Sequence, residues 1–439
     1  MPVSAASMAG VFAERLGPDR LVVDPAALSA AAIDGCTPRW IVRPATVDHV
    51  AAVLAIAWDE NLAVAPRGAG TALGLGAPAS RIDVVLDLTT LNHVLEDNPD
   101  DLTVSVEAGI TAGALADRLG GRRQWLPIDP PGWRRRTLGG MTATNAAGPL
   151  RARYGTLRDL VLGVRFVQAD GVVTWGGSKV VKSVSGYDVP KLMVGALGTL
   201  GVLGELTLRL HSLPDAERSW LVLLASAAEA QAFVERLIAS PLQPSRIELF
   251  NDAALRALEA ESTGAGVAVS IGSVSEAVRE QGERLGTMAK IGGARVAPLP
   301  DGFWTAAESA LTCPPGWTAL HVVSLVDRLA DTAGVIESAA QAAAPRSEVR
   351  LSGSAAVGTF RVLLGGAGVA EAVAITTRVR HRTAAIGGSV VIARGSAELR
   401  KAVDPWGPVE PGSFALMRAL RDEFDPRRVL NPGRYVGGL

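Results

Sequence analysis

Apolar positions recur along this chain with two periods, and the places where one period replaces the other mark its organisation. In "TVDHVAAVLAIAWDEN", after Pro44, residues 47, 50, 51, 54 and 58 are apolar. That spacing predicts an amphipathic helix, and Thr46 is placed to cap its first turn. "LAVAPRG" then reads as a strand. Two alternating stretches follow, with Ile82, Val84, Leu86 and Leu88 set against Asp83 and Asp87, and Leu102, Val104 and Val106 set against Thr103, Ser105 and Glu107. A period of two marks strands with one buried face. A helix is expected at "TAGALADRL". The strand "VLGVRFVQADGVVTW" turns at Asp170-Gly171, a hairpin signal, and "VLGELTLRL" from Val202 closes this half near Pro214.

From about Trp220 the pattern changes. Short strands ("WLVLL", "RIELF", "VAVSI", "LHVVSL", "FRVLL", "VVIAR") alternate with alanine-rich helices expected around residues 226–239, 275–289, 328–343 and 368–380. That rhythm predicts an antiparallel sheet with helices on one face, in two ferredoxin-like halves. The fold class is therefore α+β. It divides into an N-terminal segment 1–35, a glycine-rich domain 36–214 in two parts (about 36–95 and 96–214), a cap domain 215–395, and a segment 396–439 that packs back on the first domain.

Composition narrows the function. The chain has 439 residues and is 48 % hydrophobic and 20 % charged, enough for two or three cores. No apolar run approaches the ~18–20 residues needed to cross a bilayer, and the start does not read as a signal peptide. A cytoplasmic address is expected, with membrane association only through partners. Net charge is −1, and the one dense basic run is Arg134 to Arg136, so nucleic acid is not an expected partner. Two cysteines, Cys36 and Cys313, are too few for an iron–sulfur cluster or a four-thiolate zinc site. The five histidines show no metal-ligand spacing, and no metal is expected.

Three glycine-rich loops carry the candidate chemistry. "PRGAGTALGLG" lacks the helix and acidic residue of a dinucleotide fingerprint, and no Gly-Lys-Ser/Thr makes it a P-loop. Its successive amides could still form a nest for phosphate oxygens, with Arg67 adding charge. "TLGGMTATNAAG" gathers hydroxyl and amide side chains suited to a flat polar ligand. "KVVKSVSGYDVPKLMVGALGTLGVLGELTL" repeats the glycine theme before a strand.

With "VVLDLTTLNHVLEDNPDDLTVSVEAGITAGALADRL" and the terminal "FDPRRVLNPGR", these segments resemble FAD-linked oxidases with a p-cresol methylhydroxylase (vanillyl-alcohol oxidase) type flavin domain. Within them the chain is similar to the FAD-binding E subunit of bacterial glycolate oxidase. The resemblance implies a PCMH-type FAD domain and FAD as cofactor. Arg67, Gly68, Ala69, Gly70 and Thr71 would form the pyrophosphate loop. Pro131, Thr137, Gly139, Gly140, Thr142, Thr144, Asn145 and Gly148 would line the cofactor, with Tyr154 and Gly155 beside them and Thr199, Gly201 and Val202 near the adenine. Thr71 stands where the family can carry a flavin-linking histidine, so the FAD is expected to be non-covalent.

The family's hydroxy-acid dehydrogenases carry an H-x-G-D-G-N-x-H type segment, which is missing here. The remaining catalytic candidates are His381, His321 and Arg394, with Arg361 and Arg382 as further cations. Of these, His321 is expected to be a core or edge histidine and His381 to sit at a helix end. The implied function is an oxidoreductase subunit of a 2-hydroxy-acid complex. Its implied partners are a second, catalytic flavoprotein and an iron–sulfur subunit. The alternatives are a self-sufficient FAD oxidase and a nonenzymatic assembly subunit.

Overall fold

The computed structural model describes residues 5–179 and 186–439. Val180–Ser185, the start of the third glycine-rich segment, lie outside the described residues. The first sheet contains β1 (Leu21–Val22), β2 (Trp40–Val42), β3 (Val64–Arg67) and β4 (Val84–Asp87), in the order β1-β2-β4-β3. β2, β4 and β3 run parallel. The predicted helix is present as Val47–Asp59, and Thr46 Oγ1 accepts from the His49 amide at 3.2 Å. It buries Val50, Val53 and Leu54 in a core that also holds Phe12 and Trp40. Each such side chain contributes roughly 1.5–3 kcal/mol.

The remaining strands of this half are β5 (Val94–Asn98), β6 (Thr103–Glu107), β7 (Gln124–Trp125), β8 (Val161–Val167), β9 (Val173–Gly177), β10 (Val202–Arg209) and β11 (His211–Ser212). Five of them form an antiparallel sheet, β5-β6-β10-β8-β9, while β7 and β11 pair separately. The expected hairpin joins β8 to β9, with Gly171 at φ +91°.

The cap is one eight-stranded antiparallel sheet. Its strands are β12 (Ala216–Leu224), β13 (Arg246–Asn251), β14 (Ala265–Ser273), β15 (Arg295–Pro298), β16 (Thr318–Val323), β17 (Glu348–Ser354), β18 (Thr359–Gly365) and β19 (Ser389–Arg394). The order β15-β12-β14-β13-β17-β18-β16-β19 contains the ferredoxin-like arrangement twice, joined where β13 pairs with β17. The helices Ala227–Ile238, Ser275–Ile291, Leu329–Ala343 and Val369–Ala384 bury Phe233, Leu285, Ile336 and Ile375 with Ile247, Leu351 and Val362 of the sheet.

Helices are not confined to that face, as the periodicity had implied. Asp252–Ala257 and Phe303–Ala310 pack on the opposite side, where Leu255 and Phe303 meet Leu221 and Phe250. Between them, the same face of the sheet lines a cavity with residues of β13, β17, β18 and β16.

The C-terminal helix Pro411–Phe424 ends in a buried ion pair, Arg421 to Asp425 at 3.1 Å. Arg421 also donates to the carbonyls of Thr199 and Leu430, and Asp425 accepts from the amides of Val429 and Leu430. Removing one member of such a pair strands the other in a dry interior. Arg421→Met should therefore destabilise the chain by about 3–5 kcal/mol in a denaturant titration; a loss below about 1 kcal/mol would show that the pair does not fasten the terminal segment.

Candidate functional site

Two cavities lie along the segment 131–151. The smaller, about 100 Å³, is lined by Arg67, Gly68, Ala69, Gly70 and Thr71, by Thr137, Gly139, Gly140 and Thr144, and by Gly201 and Val202. Three glycine-rich stretches far apart in sequence thus converge. Gly68 meets Thr137 so closely that a Cβ would collide with its hydroxyl, and a Cβ on Gly139 would stand 2.8 Å from that of Ala108. Thr137 Oγ1 caps the helix Leu138–Ala143 by accepting from the Gly140 amide at 3.3 Å. Gly70, at φ +72°, gives the first loop its left-handed turn.

The loop is gripped from behind. Arg434 in the terminal "NPGR" donates to the carbonyls of Leu73 and Leu75 at 2.5 and 3.2 Å, and Asn431 Nδ2 donates to the Leu197 carbonyl at 2.8 Å. Among the described residues the amides of Ala69, Gly70 and Thr71 donate to nothing. Unspent amides at a cavity wall fit the anionic oxygens of a dinucleotide. Arg67 does not add its charge freely, because it pairs with Asp87 at 2.9 Å and thereby braces the loop against β4.

Several expected cofactor contacts do other work. The hydroxyls of Thr142, Thr144 and Thr199 are spent on the Leu138, Gly140 and Ala196 carbonyls at 2.8, 2.8 and 2.7 Å, and of these three only Thr144 lines the smaller cavity. Asn145 is an exposed turn residue at φ +45°. Tyr154 packs edge-on between Trp125 and His211. Gly155 ends the helix Arg151–Tyr154 at φ +78°, against the Asp159 side chain.

The larger cavity, about 310 Å³, holds Pro131 and Gly148 in one wall with Trp125, Leu126 and Ile128. The opposite wall is the face of the cap sheet away from the four long helices. Alternation dictates which residues reach it: Arg246, Glu248 and Phe250 on β13, Ser352 and Ser354 on β17, Thr359 and Arg361 on β18, and His321 on β16. His321 is therefore a cavity residue rather than the core or edge histidine its strand suggested. It stands directly across from Arg361. Burial, then the positive charges of Arg151 and Arg361, lower its pKa to about 4.

His381 is exposed in the last turn of Val369–Ala384, and neither it nor Arg394 lines either of these two cavities. Arg394 donates to the Cys313 carbonyl at 3.1 Å. Sequence reasoning missed Arg151, Arg246, Glu248, Ser352 and Ser354. The signal was present in "RIELF", where the two charged positions alternate with apolar ones on a cap strand.

The cavity's charges divide into spent and unspent. Arg246 bridges Asp129 at 3.0 Å and Glu217 at 2.6 Å, and Glu308 accepts from the Gly132 amide at 2.8 Å, so the cap is tied to the loop after β7. Burial raises the pKa of Asp129 and Glu308. The guanidinium groups of Arg361 and Arg151 make no ion pair or hydrogen bond among the described residues, and Arg361 Nε is buried without a partner. Burial, and then the charge of Arg361, lowers the pKa of Arg136 to about 10. Among the described residues no three His, Cys, Asp or Glu side chains converge to hold a metal ion.

Two outcomes follow. Gly68→Val should drive Thr137 off its cap and reduce the flavin-to-protein ratio at purification by more than about tenfold; full flavin content would contradict the convergence of the two loops on the cofactor. Between the ordinary histidine pKa near 6.5 and about 4, the unfolded chain takes up a proton at residue 321 that the folded chain refuses. Stability should therefore fall with pH across that window, by on the order of 2–3 kcal/mol. Denaturation of His321→Asn should show a flatter acid limb, whereas an identical limb would place His321 in contact with bulk water.

Comparison with known proteins matches residues 38–177 to the FAD binding domain family and residues 367–435 to the C-terminal domain of FAD linked oxidases. The glycolate oxidase subunit GlcD of Bacillus subtilis is 26 % identical over 90 % of this chain and 88 % of its own length. A D-lactate dehydrogenase of Archaeoglobus fulgidus is 37 % identical over 39 % of this chain and 38 % of its own. The solved structure of p-cresol methylhydroxylase with substrate bound superposes with a TM-score of 0.79 at 16 % identity, covering 97 % of this chain and 95 % of that one. That of alkyldihydroxyacetonephosphate synthase gives 0.77 at 17 %, covering 99 % and 87 %. Both share the PCMH-type fold. The chain thus combines an FAD binding domain with the C-terminal domain of FAD linked oxidases, and along most of its length it is similar to FAD-dependent oxidoreductases.

Proposed function

We propose that this chain is the FAD-binding oxidoreductase subunit of a glycolate oxidase-type complex, in which a 2-hydroxy acid is oxidised and its electrons pass to an iron–sulfur partner. The observation that carries the reading is the unpaired Arg361 beside His321 in a wall of the larger cavity. The relatives named for glycolate and D-lactate support the substrate class.

Arg67–Thr71, Thr137, Gly139, Gly140 and Thr144 would hold the pyrophosphate end of FAD, and Pro131 and Gly148 its flavin end. Thr71 offers no imidazole for a covalent link, so the cofactor is held non-covalently. Bound FAD supplies the acceptor for the two electrons and the α-hydrogen. Arg361 fixes the acid's carboxylate, and Arg151 adds positive charge from the facing wall. His321, neutral at pH 7, keeps a lone pair to accept the hydroxyl proton. Once the carboxylate offsets the neighbouring guanidinium charge, the imidazole holds that proton more firmly. Trp125, Leu126 and Ile128 keep water out, which strengthens each of these interactions.

Cys36 and Cys313 are too few to hold a cluster, which supports an iron–sulfur partner as the next electron carrier. The missing histidine segment favours a second reading, in which a partner flavoprotein performs the oxidation and this FAD relays or stabilises. The native complex decides. Its chains would be identified, its flavin and iron counted, and Arg361→Gln introduced. The first reading expects kcat/KM for the acid to fall by about 100-fold or more, about 2.7 kcal/mol, with flavin content kept. An unchanged rate would move the oxidation to the partner.

A further inference from the structure

The cap face holds more unspent polar groups than a small hydroxy acid can satisfy. Two rows of cross-strand neighbours run side by side across the junction of the ferredoxin-like halves. One row is Phe250, Ser352, Arg361 and His321; the next is Glu248, Ser354 and Thr359. All seven line the larger cavity. None of the polar six makes a side-chain hydrogen bond to another described residue, and Glu248 Oε2, Ser354 Oγ and Arg361 Nε are buried without a partner.

Buried polar atoms left unpaired by the rest of a fold are uncommon, and three around one cavity give its wall the chemistry to meet a polar ligand. Arg361 calls for an anion. The second row calls for groups that both donate and accept: Ser354 and Thr359 are hydroxyls, and the Glu248 carboxyl is held well above its usual pKa by burial and by Asp129, with Arg151 acting the other way. A second carboxylate would meet that row poorly, because the row itself carries no cation and the charge of Arg151 beside it is already offset by Asp159. An alkyl tail would leave it unpaired.

Resting on the 2-hydroxy-acid reading above, we propose that the ligand of this cavity is a 2-hydroxy acid with further hydroxyl groups, a sugar acid whose carboxylate meets Arg361 and whose tail lies on Glu248, Ser354 and Thr359. The rows are two residues apart along each strand, about 7 Å, the reach of a chain of roughly four to six carbons. Glycolate would fill only the first row.

The test compares two acids of equal length on the full chain with its FAD reduced beforehand, so that binding is read without turnover. D-erythronate and 2-hydroxybutanoate would each be titrated while following the fluorescence of Trp125, Trp133 and Trp304, which line the cavity. Erythronate should bind at least about tenfold more tightly, since a site built for hydroxyls discriminates against a ligand that lacks them. Ser354→Ala should bring that ratio towards one, and Thr359→Val does the same service if the alanine variant fails to fold. Equal affinities on the unaltered chain overturn the proposal while leaving the acid reading in place. Failure of both acids to bind overturns both.

Discussion

Gly68 packs so closely on the Thr137 side chain that a Cβ at residue 68 would collide with the threonine hydroxyl, and much of the flavin region follows from that contact. It brings a loop after β3 against the cap of a helix some seventy residues later. Gly139 repeats the constraint one turn on, against Ala108. The first loop is then held by Asp87 through Arg67 and by Arg434 through the Leu73 and Leu75 carbonyls, while its own amides stay unspent. A loop fixed by its carbonyls and side chains, with its N–H groups left facing a cavity, is prearranged for an anion and needs little reorganisation to bind one.

The second constraint is the pairing of β13 with β17. It makes one continuous sheet from two similar halves and places polar residues of both on a face that the long helices do not cover. The bridges from Arg246 to Asp129 and from Glu308 to Gly132 hold that face towards the flavin domain. Charges spent on these bridges fix the architecture. The guanidinium groups left over, on Arg151 and Arg361, make no such bridge, and this division separates the arginines that tie the cap to the flavin domain from those proposed to meet a ligand.

Much of this was legible in the chain because local chemistry dictated it. The helix after Thr46, the Asp170-Gly171 hairpin and the four long cap helices follow from spacing and capping alone, and the glycine loops announced a cofactor region. What stayed hidden were consequences of tertiary pairing. Thr142 and Thr199 have the right chemistry for a ligand, but their hydroxyls are spent on local carbonyls. His321 sits in an apolar strand whose exposed face could be known only once β16 had been set beside β18. Arg361 is one arginine among many until its guanidinium is seen to make no hydrogen bond or ion pair among the described residues.

The central claim is that a carboxylate binds at Arg361 in a cavity adjoining the flavin. Its most direct measurement is the visible spectrum of the FAD-loaded chain during titration with oxalate, a non-oxidisable dicarboxylate that carries the α-carboxylate feature. The account predicts a saturable shift of the flavin bands that is lost in Arg361→Gln and retained in Arg382→Gln, whose side chain is exposed on the helix Val369–Ala384. A spectrum that does not respond, or a response that survives Arg361→Gln, would contradict it.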